Sequence, residues 1–193
     1  MLALLLLSGC AGMNPNPGER TTDMAWMSGK FDKAFSVVEP RAKAGEPWAQ
    51  LRLGIFYYNG WGVEQDKKKA EYWYKKAAAQ KASGDWANGL LVGAVGKAGY
   101  FNQNSDALIA KSNLADLYSI GGEEVEKDLI TAYVLINDVI NQSNGHSVFF
   151  CCEFSDGQYF TQEQFVCLRD KIKAEMSSKQ LIQAEQIIEK NGS

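Results

Sequence analysis

Residues 49–78 of the chain read AQLRLGIFYYNGWGVEQDKKKAEYWYKKAA, and this stretch decides the fold. Small or apolar side chains recur in its first part at the spacing of one helix face, at Ala49, Leu53, Gly54 and Tyr57. The spacing predicts a short helix, and Gly54 leaves room for a partner helix to approach closely.

A turn and a second helix follow. Asn59-Gly60-Trp61-Gly62 breaks the first helix, because glycine reaches backbone angles that other residues avoid. Asp66 suits the start of the next helix, where its carboxylate can accept hydrogen bonds from free backbone N–H groups. That helix has its own small and aromatic stripe, at Ala70, Trp73, Ala77 and Ala78. A generic helical hairpin would show the same spacing.

The order of these residues is more specific than their spacing. From residue 60 to residue 78 the chain follows G-x-G-V-x-x-D-x-x-x-A-x-x-W-x-x-x-A-A, which resembles a Sel1-like repeat, a relative of the tetratricopeptide repeats. The resemblance implies an all-α fold, a short alpha-alpha superhelix (solenoid) of helical hairpins with a C-terminal helical cap. It also implies a protein that binds other proteins, because stacked repeats present extended binding surfaces.

A second, degraded copy lies downstream. Its matching residues are Leu114, Ala115, Tyr118 and Gly121 and, after one inserted residue, Val125, Asp128, Ala132, Leu135 and Val139. Alanine replaces the glycine of the first copy, and leucine replaces its tryptophan. We therefore expect this unit to pack less closely than the first.

The N-terminus has a different character. An apolar run ends in Leu7-Ser8-Gly9-Cys10, which resembles a bacterial lipobox and implies that Cys10 is lipidated. The alternative is an apolar tail that merely ends in cysteine. No Lys or Arg precedes the run, so we expect the native signal to begin upstream of Met1. Ala11 follows where aspartate would signal inner-membrane retention, which favours the outer membrane.

These features divide the chain into a lipoprotein signal at 1–10, a tether at 11–27 and a repeat domain at 28–193. The tether is predicted from its polar residues and spaced prolines. Within the domain we expect an entry helix at 29–44, repeat one at 47–80, an insertion at 81–108, repeat two at 110–143 and a C-terminal cap at 146–190. The entry helix has one apolar face, formed by Phe31, Ala34, Phe35 and Val38.

The cap region combines a possible extended stretch with two helices. Residues 146–154 are rich in aromatic and branched side chains, although the helical repeats offer them no obvious sheet. Thr161 to Gln164 and Ser177 to Gln180 each fit a capping box, which predicts helices at 162–176 and 178–189.

Three cysteines remain besides Cys10. Joining Cys151 or Cys152 to Cys167 would close a loop of about fifteen residues, worth roughly 3 kcal/mol in the chain-entropy model. Buried free thiols are the first alternative. A zinc site with His146 is the second, but the spacing fits no zinc motif, and we predict no metal.

Composition and motifs disfavour several functions. The formal net charge is -3, with Lys and Glu intermixed, which argues against nucleic acid as a partner. Lys67-Lys68-Lys69 fits a solvated helix face better than a phosphate site. No nucleophile elbow, zinc-protease motif or dinucleotide fingerprint occurs in the sequence, so we predict no enzyme, no catalytic residues and no cofactor.

Binding is therefore the predicted function. In related solenoids the first helix of each repeat lines a concave face, which would present Arg52, Phe56, Asn59 and their counterparts Asn113, Leu117 and Ile120. Trp61 in the interhelix loop could add an anchor. The alternative is that Phe56 and Trp61 pack on the next hairpin.

The predicted partner is another protein. We expect the chain to bind it as a lipid-anchored domain that faces the periplasm from the outer membrane of a Gram-negative bacterium. Small lipoproteins with such repeats resemble the immunity partners of type VI secreted phospholipase effectors. The alternative is a general cell-envelope scaffold or adaptor.

Overall fold

The computed structural model describes residues 17–80, 105–144, 148–150 and 158–191. Its elements are α1 (Pro17–Met27), α2 (Phe31–Lys43), α3 (Pro47–Asn59), α4 (Lys67–Ala78), α5 (Ser105–Ile120), α6 (Leu129–Ser143), β1 (Val148–Phe150), β2 (Gln158–Phe160), α7 (Gln162–Glu175) and α8 (Ser178–Asn191). Each helix from α1 to α7 packs on the helix that follows or precedes it in the chain, and α7 and α8 both pack on α6. The predicted superhelix of helical hairpins is confirmed. None of the helices in the described ranges has the length and hydropathy that a bilayer crossing requires.

Helices α3 and α4 form the predicted first hairpin. A Cβ atom built on Gly54 would lie 2.5 Å from Cδ1 of Tyr74, so only glycine allows this helix spacing. The Asp66 carboxylate accepts a hydrogen bond of 2.8 Å from the backbone N–H of Lys69, which confirms the predicted helix cap. Gly60 ends α3 with a φ of 72°, in the left-handed region that favours glycine.

Helices α5 and α6 repeat this geometry. The Asp128 N–H donates to the Tyr118 carbonyl over 3.0 Å, as the Asp66 N–H donates to the Tyr57 carbonyl over 2.9 Å. The extra residue of the second copy therefore lies in the interhelix loop. Helix α5 begins at Ser105, inside the predicted insertion, and residues 107–110 are buried in the core. Residues 81–104, the rest of that insertion, lie outside the described ranges.

Helices α1 and α2 form a further hairpin of the same kind. Lys30 N–H donates to the Ala25 carbonyl, as Trp61 N–H donates to the Phe56 carbonyl, and Gly29 has a φ of 68°. Within α2, the predicted face is confirmed, with Ala34 and Val38 fully buried. The first helix of this hairpin therefore ends with the same backbone geometry as α3.

The tether prediction is wrong from residue 17 onward. Proline is well suited to the first position of a helix, and Pro17 begins α1. Thr22, Asp23 and Ala25 are then buried against the rest of the domain, and Asp23 pairs with the buried Arg52. Residues 11–16 of the predicted tether and the signal at 1–10 lie outside the described ranges.

The C-terminal region has a small antiparallel sheet before its two helices. Val148 of β1 pairs with Phe160 of β2, so the extended stretch has a partner strand that the sequence did not indicate. The capping box of Thr161 and Gln164 is confirmed. Ser177 and Gln180 exchange the same pair of hydrogen bonds, over 3.0 and 3.3 Å.

Candidate protein-binding surface

Three loop glycines show which residues of the first helices correspond to one another. Gly29, Gly60 and Gly121 follow α1, α3 and α5 with φ values of 68°, 72° and 66°. Stacked repeats place equivalent positions on the same side of the array. We call the residues five, two and one positions before these glycines the first-helix face; they are Met24, Met27, Ser28, Ile55, Tyr58, Asn59, Asp116, Ser119 and Ile120.

Large apolar side chains of this face are exposed to solvent. Met24 is 54% exposed, Met27 52% and Ile120 56%. Ile55 and Tyr58 of the intervening helix are half-buried. Elsewhere in the described ranges, the exposed large hydrophobic residues lie on α4 and α8, at Tyr72, Ile182 and Ile187.

Positions four residues before the glycines face inward. Phe56 and Leu117, with their counterpart Ala25, are core residues. Phe56 packs on Trp26 of α1, with ring centroids 5.3 Å apart. The prediction that Phe56 and Leu117 line an open surface is therefore wrong, because α1 and the neighbouring hairpins cover that side of the first helices.

Trp61 belongs to the same aromatic cluster. Its ring stacks on Phe31 at 5.2 Å and meets the edge of Trp26 at 4.8 Å. The alternative stated from the sequence, packing on the next hairpin, has the right kind of contact, but Trp61 packs on the hairpin before its own. Because Trp61 keeps only part of its surface exposed, it holds the interhelix loop against α1 and α2.

Arg52 is the centre of a buried ionic cluster. Its side chain is 1% exposed, which contradicts its predicted place on the binding surface. Nη2 lies 2.7 Å from Oδ1 of Asp23, and Nη1 lies 3.2 Å from Oε1 of Glu19. Both carboxylates come from α1. Arg52 therefore fastens the first hairpin to the second instead of meeting a partner.

The cluster holds more acid than base. Burial raises the pKa of Glu19 to about 7, although the Arg52 charge opposes the shift. Burial also raises the pKa of Asp106 on α5, again opposed by Arg52. Burial alone would lower the pKa of Arg52, but Asp23 and Glu19 outweigh it and raise that pKa. One guanidinium thus interacts with carboxyl groups of two flanking helices, α1 and α5.

A further carboxyl group, that of Asp116, lies within the first-helix face itself. Asp116 is half-buried, and burial raises its pKa while the charge of Lys171 opposes the rise. Burial and the nearby Asp116 charge raise the pKa of Tyr58. Among the described residues, no Lys, Arg or His nitrogen lies within the 4.0 Å of an ion pair with Asp116.

The remaining predicted residues differ in exposure, and some of them lie outside the described ranges. Asn59 and Ile120 are exposed as predicted, while Asn113 is half-buried beside the buried Tyr74. Cys167 is an exposed free cysteine of α7. Cys10, His146, Cys151 and Cys152 lie outside the described ranges, so lipidation and disulfide formation stay predictions. No group of three metal-ligating side chains occurs within the part of the chain that the structure describes.

Met24, Met27 and Asp116 were missed as surface residues. The methionines lie in α1. The sequence of this helix looks like a polar tether, because polar residues, Thr22 and Asp23, occupy its buried positions. A usable signal was present: Gly29 follows Trp26 at the spacing with which Gly60 follows Tyr57.

Comparison with known proteins agrees with this architecture. Residues 49–81 match the model of the Sel1 repeat. The Escherichia coli K12 Sel1-repeat-containing protein YjcO is 31% identical over 106 residues, which are 50% of this chain and 45% of YjcO. The Arabidopsis thaliana ERAD-associated E3 ubiquitin-protein ligase component HRD3B is 40% identical over 50 residues, 25% of this chain and 8% of that protein. The chain thus spans less than half the length of these relatives.

Solved structures of similar fold include one that aligns over most of this chain. It is c5321, a protective antigen of uropathogenic Escherichia coli strains with an SLR fold. The TM-score is 0.58 at 20% identity, over 90% of this chain and 28% of that one. At this identity the likeness concerns the fold alone.

Proposed function

We propose that this chain, which is a Sel1-repeat protein, is a non-enzymatic module that binds another protein through its first-helix face. Sel1 repeats are protein-interaction modules, and the family is generally a non-enzymatic scaffold. The observation that carries the proposal is the exposure of Met24, Met27 and Ile120 on the first-helix face, two on α1 and one on α5.

Burial of these side chains would stabilise a complex. Apolar surface contributes about 25 cal/mol for each Å² removed from water. Methionine adapts its shape to a partner, because it is unbranched and polarisable. Tyr58 adds an aromatic ring between the exposed methionines and Ile120, and tyrosine is common among residues that dominate binding energy.

The test compares charged substitutions on and off the face. Met27→Glu and Ile120→Glu should abolish crosslinking to the proteins that the wild-type chain captures in its native cells. Ile182→Glu on α8, where the wild-type side chain is 57% exposed, is the matched control and should retain capture. Equal capture by all three variants would exclude the first-helix face as the binding surface.

A lipid anchor at Cys10 is a second part of the proposal. The support is the L-S-G-C motif, together with the start of α1 at Pro17. Seven residue steps separate the two positions, so an anchored domain would lie within about 24 Å of the lipid attachment. Incorporation of labelled palmitate by the wild type, and its loss in Cys10→Ser, would support lipidation at Cys10, which the proposed outer-membrane, periplasm-facing location requires. Failure of the wild type to incorporate label would refute it.

The finest part of the proposal concerns the partner. We favour a secreted phospholipase toxin of a type VI system, which the domain would bind and neutralise in the periplasm. Co-expression with such an effector should protect cells, and Met27→Glu should remove protection while Ile182→Glu retains it. If no effector is bound but envelope proteins are crosslinked through the same face, the alternative of an envelope scaffold or adaptor is correct.

A further inference from the structure

We propose that the first-helix face selects a protein segment that places a lysine or arginine among apolar side chains, with the cation paired to Asp116. This inference rests on the proposed binding function and specifies the chemistry of the partner. It follows from the position of a carboxyl group within an apolar surface.

The surroundings of Asp116 leave its charge poorly compensated. The side chain is half-buried on α5, near the phenol of Tyr58 on α3. Lys171 of α7 attracts the carboxylate through space but forms no ion pair with it within 4.0 Å. A half-buried carboxylate has lost part of its hydration without gaining a bonded cation. A ligand cation would supply that partner.

The apolar neighbours determine what must surround the cation. Met24 and Met27 lie on α1, and Ile120 ends the same helix that carries Asp116. Helix axes pack about 8–10 Å apart, so the face crosses two such spacings, roughly 20 Å. A segment of about six extended residues, or of about thirteen helical residues, spans that length. Apolar side chains on both sides of the cation would exclude water and strengthen the ion pair.

Selection from a random peptide library displayed on phage tests the proposal directly. The wild-type chain should enrich peptides that carry Lys or Arg flanked by apolar residues. Asp116→Asn keeps the size of the side chain and should lose the Lys and Arg enrichment. Met27→Glu should select no peptides, and circular dichroism should show that both variants are folded.

A synthetic version of the most enriched peptide then measures the ion pair. Replacing its cationic residue by norleucine should weaken binding to the wild type roughly tenfold or more, and should weaken binding to Asp116→Asn far less. Lys171→Gln removes the competing cation and should strengthen binding of the cationic peptide. Equal weakening of the wild type and Asp116→Asn would overturn the proposed pairing.

The outcomes separate this inference from the proposed function. Enriched peptides without Lys or Arg would overturn the ion pair but retain a protein-binding face. No enriched peptide, with binding only to phosphatidylglycerol vesicles, would overturn both. Wild-type dimers that Met27→Glu dissociates would show that a second copy occupies the face, and would also overturn the inference.

Discussion

At the scale of the residue, Arg52 shows how burial changes the role of a charged side chain. Its position on α3 corresponds to Thr21 on α1 and Asn113 on α5, so a charge there is peculiar to this hairpin. The flanking α1 supplies Glu19 and Asp23, and the guanidinium becomes a link between helices. A charged residue that looked suited to a binding surface is therefore part of the core.

Removing the Arg52 charge should destabilise the protein strongly. Arg52→Met keeps much of the side-chain volume but leaves the buried Asp23 without its cation, and breaking a buried pair costs about 3–5 kcal/mol. Urea unfolding should show this loss. Lys43→Met, which removes the exposed pair with Glu39, should cost less than about 1 kcal/mol. Similar losses in the two variants would contradict the buried-cluster account.

Glu19 should make stability depend on pH. Its pKa rises from 4.5 to about 7 on folding, so the folded state holds the proton more tightly than the unfolded state. This contribution is fully present below pH 4.5 and is lost as pH rises through about 7. The stability of the wild type relative to Glu19→Gln should therefore fall across that window, by roughly 3 kcal/mol at most. Parallel pH profiles for the two proteins would refute the shift.

At the scale of the element, the close contact of α3 and α4 can be tested by giving the first hairpin the residues that the second hairpin has at the same positions. Register places Ala115 and Ile136 where the first hairpin has Gly54 and Tyr74. Gly54→Ala alone should cost about 1–3 kcal/mol, because the new methyl group meets the Tyr74 ring. Adding Tyr74→Ile should recover part of that loss in thermal unfolding. A double variant less stable than the single variant would show that the two hairpins pack differently.

The hairpins also show which elements the sequence predicts. Repeat two was recognisable because Gly121 and Asp128 end and begin helices through local backbone chemistry, whatever packs around them. The hairpin of α1 and α2 was not, because Thr22 and Asp23 occupy the positions of Leu53 and Gly54. In this hairpin the stabilising contact is the ion pairing of α1 with Arg52 of α3. The spacing of apolar residues does not reveal an ion pair.

The prediction of the binding-surface residues was partly wrong for a related reason. Periodicity separates the core stripe of α3 from its other sides, but it does not reveal which other side a neighbouring helix covers. Phe56 and Arg52 are covered by α1, whereas Met27 and Ile120 remain exposed. Burial by an unrecognised hairpin therefore moved the candidate surface to residues five, two and one positions before the loop glycines.

At the scale of the whole molecule, α1 is the helix whose removal best tests the array. A chain truncated to begin at Lys30 loses the acids that pair with Arg52 and the Trp26 ring that packs on Phe56. A tether would be dispensable, but a first hairpin should not be. Breaking the buried pair costs about 3–5 kcal/mol. Because each kcal/mol shifts the melting temperature by roughly 2–4 °C in a chain of this size, we expect the melting temperature to fall by at least about 6 °C.

The control for that truncation uses the same buried arginine. Arg52→Met in the full-length chain removes a charge that Asp23 and Glu19 need, whereas in the truncated chain the arginine has lost both carboxylates of α1. The substitution should therefore destabilise the full-length protein but destabilise the truncated protein much less, or stabilise it. This sign difference in a double-mutant cycle measures the coupling between α1 and α3. Equal effects in both backgrounds would mean that α1 does not fasten the array through Arg52.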